Sequence, residues 1–99
     1  MIADQTKHVA VLLVNLYIPS SQSLKDKRMV LKSLKDRIRN KFNVSVAELD
    51  QDGKWQAATF GVSMIGNDQR YLDGCLQSLL TFIESHNGVE ITDQEIDFF

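Results

Sequence analysis

The chain has 99 residues, of which 43% are hydrophobic and 24% charged, and this composition predicts one compact domain covering residues 1–99. It excludes a disordered or fibrous chain, and the single cysteine, Cys75, excludes an intramolecular disulfide. The longest apolar run, residues 9–14, is too short to cross a bilayer, and no export signal opens the chain. We therefore expect a soluble cytoplasmic protein with no membrane partner.

The net charge of −2 conceals an uneven distribution of charge along the chain. Residues 25–41 contain eight of the eleven Lys and Arg residues and two acidic ones, whereas the remainder has three basic and eleven acidic residues. A chain polarised in this way can attract an anionic partner to one face although its overall charge is negative.

Residues 7–18 form a nearly continuous apolar run that Pro19 ends, which is typical of a central strand covered on at least one face. Because side chains alternate across a strand, the run divides into two sets. The set predicted to face the core is Ala10, Leu12, Val14, Leu16 and Ile18. The opposite set is Val11, Leu13, Asn15 and Tyr17.

The pattern of residues after Pro19 predicts an amphipathic helix that begins between Gln22 and Leu24, with Ser21 or Ser23 as its N-cap. Its apolar positions are spaced by seven, three, four and four residues and therefore form one stripe. This stripe consists of Leu24, Leu31, Leu34, Ile38 and Phe42.

Beside the apolar stripe, basic residues recur at intervals of three and four and fall within an arc of about 80° at 100° per residue. We name them the basic ridge: Lys25, Arg28, Lys32, Lys35 and Arg39. Asp26 and Asp36 are expected to project away from its middle. Helices that are merely solubilised usually mix both signs of charge, so a one-sided ridge favours an anionic partner. A solvated lysine-rich face is the alternative.

Two further strands are predicted on either side of a turn. Residues 42–49 alternate between apolar and small or polar side chains, and residues 55–65 do so again. Between them, Asp50, Gln51, Asp52 and Gly53 supply the chemistry of a hairpin reversal. In the second of these strands, the residues predicted to face the core are Ala58, Phe60, Val62 and Met64.

Asn67 or Asp68 can cap a second helix, which we expect Asn87 and Gly88 to end. Its predicted apolar positions are Tyr71, Leu72, Cys75, Leu76, Leu79, Leu80 and Ile83. Residues 89–99 indicate an edge strand, whose acidic side chains would discourage edge-to-edge pairing. The order βαββαβ predicts an α+β, ferredoxin-like two-layer sandwich, a four-stranded antiparallel sheet with two helices on one face.

The motifs around the first helix resemble those of the YlxP-like family of small bacterial proteins. The resemblance lies in LYIPSSQSLKDKR at 16–28, LKSLKDR at 31–37 and FNVSVAE at 42–48, with further matches at Trp55-Gln56 and Asn67-Asp68. It implies a ferredoxin-like fold and a bacterial cytosolic protein of unknown function. The family's genes often lie beside translation and ribosome-maturation genes, which implies an RNA-related role. Where the family commonly carries a charged residue on the outer side of the first strand, this chain has Leu13.

The sequence offers no convincing catalytic or metal-binding constellation. His8 and His86 lack Cys or carboxylate companions at ligand spacing, and Cys75 falls on an apolar stripe typical of a buried thiol. Asp50 and Asp52 flank a turn, and the acidic residues of the last strand occupy alternate positions. Both patterns are typical of solvated carboxylates, so a catalytic acid–base pair is not indicated. We therefore expect a non-enzymatic protein with no cofactor and no metal.

Two functional hypotheses follow. In the first, the protein binds structured RNA or a ribonucleoprotein through the first helix. The predicted phosphate contacts are Lys25, Lys27, Arg28, Lys32, Lys35 and Arg39, with Ser21 and Ser23 at the helix start. In the second, the uncovered sheet face serves protein interaction or homodimerisation. The residues predicted to form that interface are Val11, Leu13, Tyr17, Trp55 and Ile65.

Overall fold

The sheet has the strand order β2-β3-β1-β4, and every neighbouring pair is antiparallel. The computed structural model describes residues 1–49 and 53–99. The elements are β1 (His8–Tyr17), α1 (Leu24–Lys41), β2 (Ser45–Glu48), β3 (Ala57–Gly66), α2 (Gln69–Glu84) and β4 (Glu90–Phe98). This arrangement confirms the predicted ferredoxin-like α+β fold.

Strict alternation along β1 places one side of the sheet in the core. All five residues predicted to face inwards are buried, with exposures of 1% or less. In β3, Ala58, Phe60 and Val62 are buried, while Met64 packs partly buried against the same cluster. Both helices contribute to this one cluster, so they cover the same face of the sheet and leave the other face open.

The start of α1 is fixed by side-chain hydrogen bonds. Ser23 is the N-cap, and its Oγ accepts a hydrogen bond from the Asp26 amide at 3.1 Å. The Asp26 carboxylate in turn accepts from the Gln22 amide at 3.1 Å, so two amides at the helix start find partners. The predicted start is confirmed, but Leu24 is 39% exposed and does not belong to the core stripe.

The observed limits of β2 and β3 differ from the predicted ones at their hairpin. Strand β2 is shorter than predicted, with four residues, and Phe42 is the C-cap of α1, where it packs its ring against Phe82 with ring centroids 5.8 Å apart. Strand β3 begins at Ala57, two residues later than predicted. The predicted turn residues Asp50, Gln51 and Asp52 lie outside the described part of the chain.

Helix α2 begins as predicted, with the Asp68 carboxylate accepting hydrogen bonds from the Arg70 and Tyr71 amides. It ends at Glu84, and Gly88 takes a positive φ of 89° in the connection to β4. The predicted packing of Tyr71 is wrong, because its side chain is 64% exposed. Strand β4 is an edge strand, as predicted, and its register with β1 shifts at Asn15 and Leu16.

Candidate nucleic-acid interface and open sheet face

The basic ridge is a continuous feature of the outer surface of α1. Lys25, Arg28, Lys32 and Arg39 are exposed, and Lys35 is half-buried. At a rise of 1.5 Å per residue, the ridge extends over about 21 Å from its first to its last residue. It can therefore present several cations along a line to one partner.

One carboxylate reaches into the ridge. Lys32 Nζ donates a hydrogen bond to Asp36 Oδ2 at 2.8 Å, and both side chains are largely exposed. This bond, assisted by the nearby charges of Lys32, Arg39 and Lys35, lowers the pKa of the Asp36 carboxyl. Asp36 was expected to project away from the middle of the ridge, but its carboxylate reaches back to the central Lys32 and partly balances that charge.

Lys27 does not lie on the ridge, which corrects its assignment as a phosphate contact. Its side chain is 6% exposed on the core side of α1, in line with Leu31, Leu34 and Ile38. The ammonium donates to the Lys54 carbonyl at 2.7 Å and lies 3.8 Å from Glu48 Oε1. Lys27 thus ties α1 to the β2–β3 hairpin, and a buried, bonded ammonium cannot face an external phosphate.

The serines before α1 bond to the chain itself. Ser21 is 1% exposed, and its Oγ donates to the Ser23 carbonyl at 3.1 Å. Ser23 is half-buried and caps the helix. The structure therefore corrects the expectation that Ser21 contacts phosphate, since its hydroxyl lies below the surface.

The far end of the ridge is anchored to the sheet. Arg39 Nη2 donates a hydrogen bond to the Val46 carbonyl of β2 at 3.1 Å, which orients its guanidinium. Lys41 lies outside the ridge, with Nζ 4.9 Å from the Phe82 ring centroid. That cation–π contact was not predicted, because its two residues are far apart in the sequence.

The open face of the sheet is apolar at Val11 and Leu13, which form an apolar strip on β1, and becomes polar further along the strand, where Thr59 Oγ1 donates a hydrogen bond to Asn15 Oδ1 at 2.8 Å. The residues predicted to form an interface there differ in their exposure to solvent. Val11 and Leu13 are half-buried, whereas Tyr17 is 38% exposed and Ile65 is 69% exposed. Leu49 also lies on this face, although it was not among the residues predicted to form the interface. Its side chain covers Gly61, where a Cβ atom would come within 2.7 Å of Leu49 Cδ1.

A row of four carboxylates borders this apolar strip on β4. The β1–β4 register pairs Val11 with Asp97, Leu13 with Glu95, Asn15 with Asp93 and Tyr17 with Glu90. Because paired residues project to the same side of a sheet, the four carboxylates share the open face. We name Glu90, Asp93, Glu95 and Asp97 the acidic row; all four are exposed, and none forms an ion pair with a residue of the described ranges.

An aromatic cleft lies at one end of the open face. The cleft has a volume of about 440 Å³. It is lined by Tyr17, Gly53, Lys54, Trp55, Gln56 and Ala57. Trp55 is 52% exposed, so a ligand can reach its ring. The Lys27 bond to the Lys54 carbonyl holds the segment next to this tryptophan.

The remaining chemical candidates are dispersed. Within residues 1–49 and 53–99, no group of three or more His, Cys, Asp or Glu side chains could hold a metal ion. Cys75 is half-buried, and its hydrogen bond with Tyr71 raises the pKa of the tyrosine. Partial burial, followed by the charge of Arg37, lowers the pKa of His86. In the same described ranges, neither helix has the length and apolar content needed to cross a bilayer.

Comparison with known proteins confirms the family resemblance. The family described as "Protein of unknown function (DUF503)" matches residues 9–96. An uncharacterised protein of Bacillus subtilis, YlxP, is 38% identical over 77 residues, which cover 78% of this chain and 84% of that protein.

Solved structures show likeness of the fold alone. The de novo designed protein Foldit4 has a TM-score of 0.55 at 14% identity, covering 94% of this chain and 96% of its own. SnoaB, a cofactor-independent oxygenase from Streptomyces nogalater, has a TM-score of 0.50 at 8% identity, and the match covers 92% of this chain and 90% of SnoaB.

Proposed function

The chain belongs to the DUF503 family, and we propose that it is a non-enzymatic protein that binds structured RNA or a ribonucleoprotein through the basic ridge of α1. The observation that carries the proposal is the ridge itself: five basic side chains on one helix face, four of them exposed. Lys27 and Ser21 are not among the proposed contacts, because both are buried.

The geometry of the ridge favours a polyanion over a small anion. Its charges extend over about 21 Å along one helix, whereas one phosphate group occupies only a few ångströms. A nucleic-acid backbone presents regularly spaced phosphates, and neutralising several of them releases counterions and makes binding depend on salt. RNA is preferred to DNA through the translation-related setting that the family resemblance implies.

Salt-dependent binding to a labelled RNA hairpin tests this proposal. We expect binding at moderate salt that the Arg28→Glu/Lys35→Glu variant weakens by about tenfold or more, with a salt slope shallower by about two. The matched control is Arg37→Glu/Arg70→Glu, which changes the net charge equally with exposed residues outside the ridge. An RNA affinity that is undetectable, or that both double variants reduce alike, would refute the ridge as the binding surface.

The open sheet face supports a second candidate function, interaction with another protein or with a second copy of the chain. Its specific basis is that Ile65 and Trp55 are exposed and that Val11 and Leu13 of the open face are half-buried. Self-association would appear as a molecular mass that rises with concentration in sedimentation measurements. A Leu13→Arg change would then restore the monomer, whereas a monomer at every concentration excludes self-association.

A further inference from the structure

We propose that the open sheet face binds a cationic segment of another protein, with arginine side chains over Trp55 and Tyr17 and beside the acidic row. This surface is separate from the ridge of α1, so the inference does not depend on RNA binding. It makes the protein-interaction candidate specific by assigning the charge and the chemistry of the partner.

Charge complementarity identifies the partner as basic. Asp93, Glu95 and Asp97 alternate along β4, so their Cα atoms follow one another at about 7 Å and their side chains project from one side of the strand. Glu90 extends the row to the aromatic cleft, because it is paired with Tyr17. An anionic partner such as RNA would be repelled by this border, whereas lysine or arginine side chains would be attracted to it.

The apolar strip and the cleft identify the partner as amphipathic and arginine-bearing. Val11 and Leu13 lie directly across from Asp97 and Glu95, so one segment can place apolar side chains on β1 and cations over β4. In the cleft, the exposed ring of Trp55 and the ring of Tyr17 offer faces on which a guanidinium can stack. Glu90 beside Tyr17 supplies a carboxylate for the same guanidinium.

A second copy of the chain fits this surface less well. Two sheet faces brought together would place the acidic row against β2, whose open-face residues Ser45, Ala47 and Leu49 carry no charge, or against the partner's own acidic row. Docking of the ridge of one copy on the sheet of another would be head-to-tail, so every assembly that does not close into a ring would leave a ridge and a sheet face uncovered. A foreign basic segment avoids both difficulties.

The fluorescence of Trp55 provides a direct test, because it is the only tryptophan in the chain. The probe is a synthetic twelve-residue peptide that repeats Arg-Arg-Val-Val, so that each side of an extended segment carries both residue types, and the controls are peptides in which Glu replaces Arg or Ser replaces Val. We expect the Arg-Val peptide to change the emission of Trp55 saturably. The Glu-Val peptide should have no effect, and the Arg-Ser peptide should bind more weakly.

Charge variants locate the site. We expect Glu95→Lys/Asp97→Lys to weaken peptide binding by about tenfold or more, since both attractions become repulsions. Asp4→Lys/Glu84→Lys makes the same change of net charge at exposed positions elsewhere and should leave the affinity nearly unchanged. Circular dichroism checks that each variant is folded, and Trp55→Phe, followed by calorimetry, tests the contribution of the ring without changing charge.

Several results would overturn the inference: no saturable response to the Arg-Val peptide, equal losses in the two charge variants, or equal binding of the Glu-Val peptide. Self-association that buries Trp55 and that Leu13→Arg abolishes would assign the face to a second copy instead. Arg28→Glu/Lys35→Glu should not affect the peptide, and Glu95→Lys/Asp97→Lys should not weaken RNA binding. The two proposals can therefore fail separately.

Discussion

The ammonium of Lys27 lies 2.7 Å from the carbonyl oxygen of Lys54 and joins the first turns of α1 to the segment that carries Trp55. The residue is a lysine on the buried side of an otherwise apolar helix stripe. Its role is therefore structural, and it keeps the hairpin, the aromatic cleft and the helix in fixed relation.

We expect Lys27→Met to lower the free energy of unfolding by about 1–3 kcal/mol, because the Lys54 carbonyl loses its charged donor while the apolar stem is largely retained. Urea denaturation measures this change. Lys25→Met is the matched control at an exposed position two residues earlier, with an expected change within about 0.5 kcal/mol. Equal effects of the two substitutions would contradict the structural role of Lys27.

The close approach of Leu49 to Gly61 gives a second prediction. A Cβ atom at position 61 would lie 2.7 Å from Leu49 Cδ1, so Gly61→Ala must displace the leucine side chain. Because Leu49 is 51% exposed, it can move, and we expect the cost to offset the gain of about 0.4–1 kcal/mol that a compatible Gly→Ala change brings.

A double-mutant cycle isolates this contact. In a Leu49→Ala background the obstruction is absent, so Gly61→Ala should become stabilising, with a coupling of about 0.5–1 kcal/mol between the two positions. Thermal or urea unfolding of the four proteins provides the measurement. Additive effects would show that Leu49 does not restrict position 61.

Much of the fold could be predicted from the sequence because its signals are periodic and local. Alternation along β1 and on to Ile18 identified all five inward residues, and capping chemistry located the starts of both helices. The limits of β2 could not be predicted, since Phe42 fits a strand pattern equally well but packs against the distant Phe82.

The ridge was less predictable than the core. At 100° per residue, Lys27 falls within the arc of Leu31, Leu34 and Ile38, so helical position indicated its burial although its charge suggested a solvent-exposed contact. The bond between Lys32 and Asp36 follows from their spacing of four residues. By contrast, the acidic row became a feature of the open face only through its register with β1, which residue spacing alone does not determine.

Asp36 gives a prediction about both charge and binding. Its pKa is lowered chiefly by the Lys32 hydrogen bond, so we expect Lys32→Met to raise that pKa in a carbon-detected NMR titration. Since the folded-state pKa lies below the unfolded one, this carboxylate contributes stability above the unfolded pKa, and the contribution is lost as the pH falls through the folded pKa.

Removing the Asp36 charge should also strengthen RNA binding. Asp36→Asn leaves Lys32 without its carboxylate partner and makes the ridge more uniformly positive. We expect a severalfold higher affinity for the RNA hairpin at fixed salt, measured by fluorescence anisotropy. Asp73→Asn on α2 makes the same charge change away from the ridge and should have a smaller effect. Equal gains would indicate a response to net charge alone.

The last prediction concerns the pKa of His86 and the relative size of the two effects that lower it. Partial burial is the larger reason for its lowered pKa, and the charge of Arg37 is the smaller one. We therefore expect Arg37→Gln to raise the pKa of His86 in a proton NMR titration but to leave it below the ordinary histidine value. Arg70→Gln, on the other helix, serves as the control and should not change it.

The same depressed pKa sets the direction of a pH effect on stability. Between the ordinary histidine pKa and the lower folded-state pKa, the unfolded chain binds more protons at this position than the folded chain does. The contribution of His86 is therefore complete above the ordinary pKa and is lost as the pH falls through the folded one. His86→Gln should flatten this part of the stability curve, and an unchanged curve would show that the imidazole is not desolvated enough to couple its titration to folding.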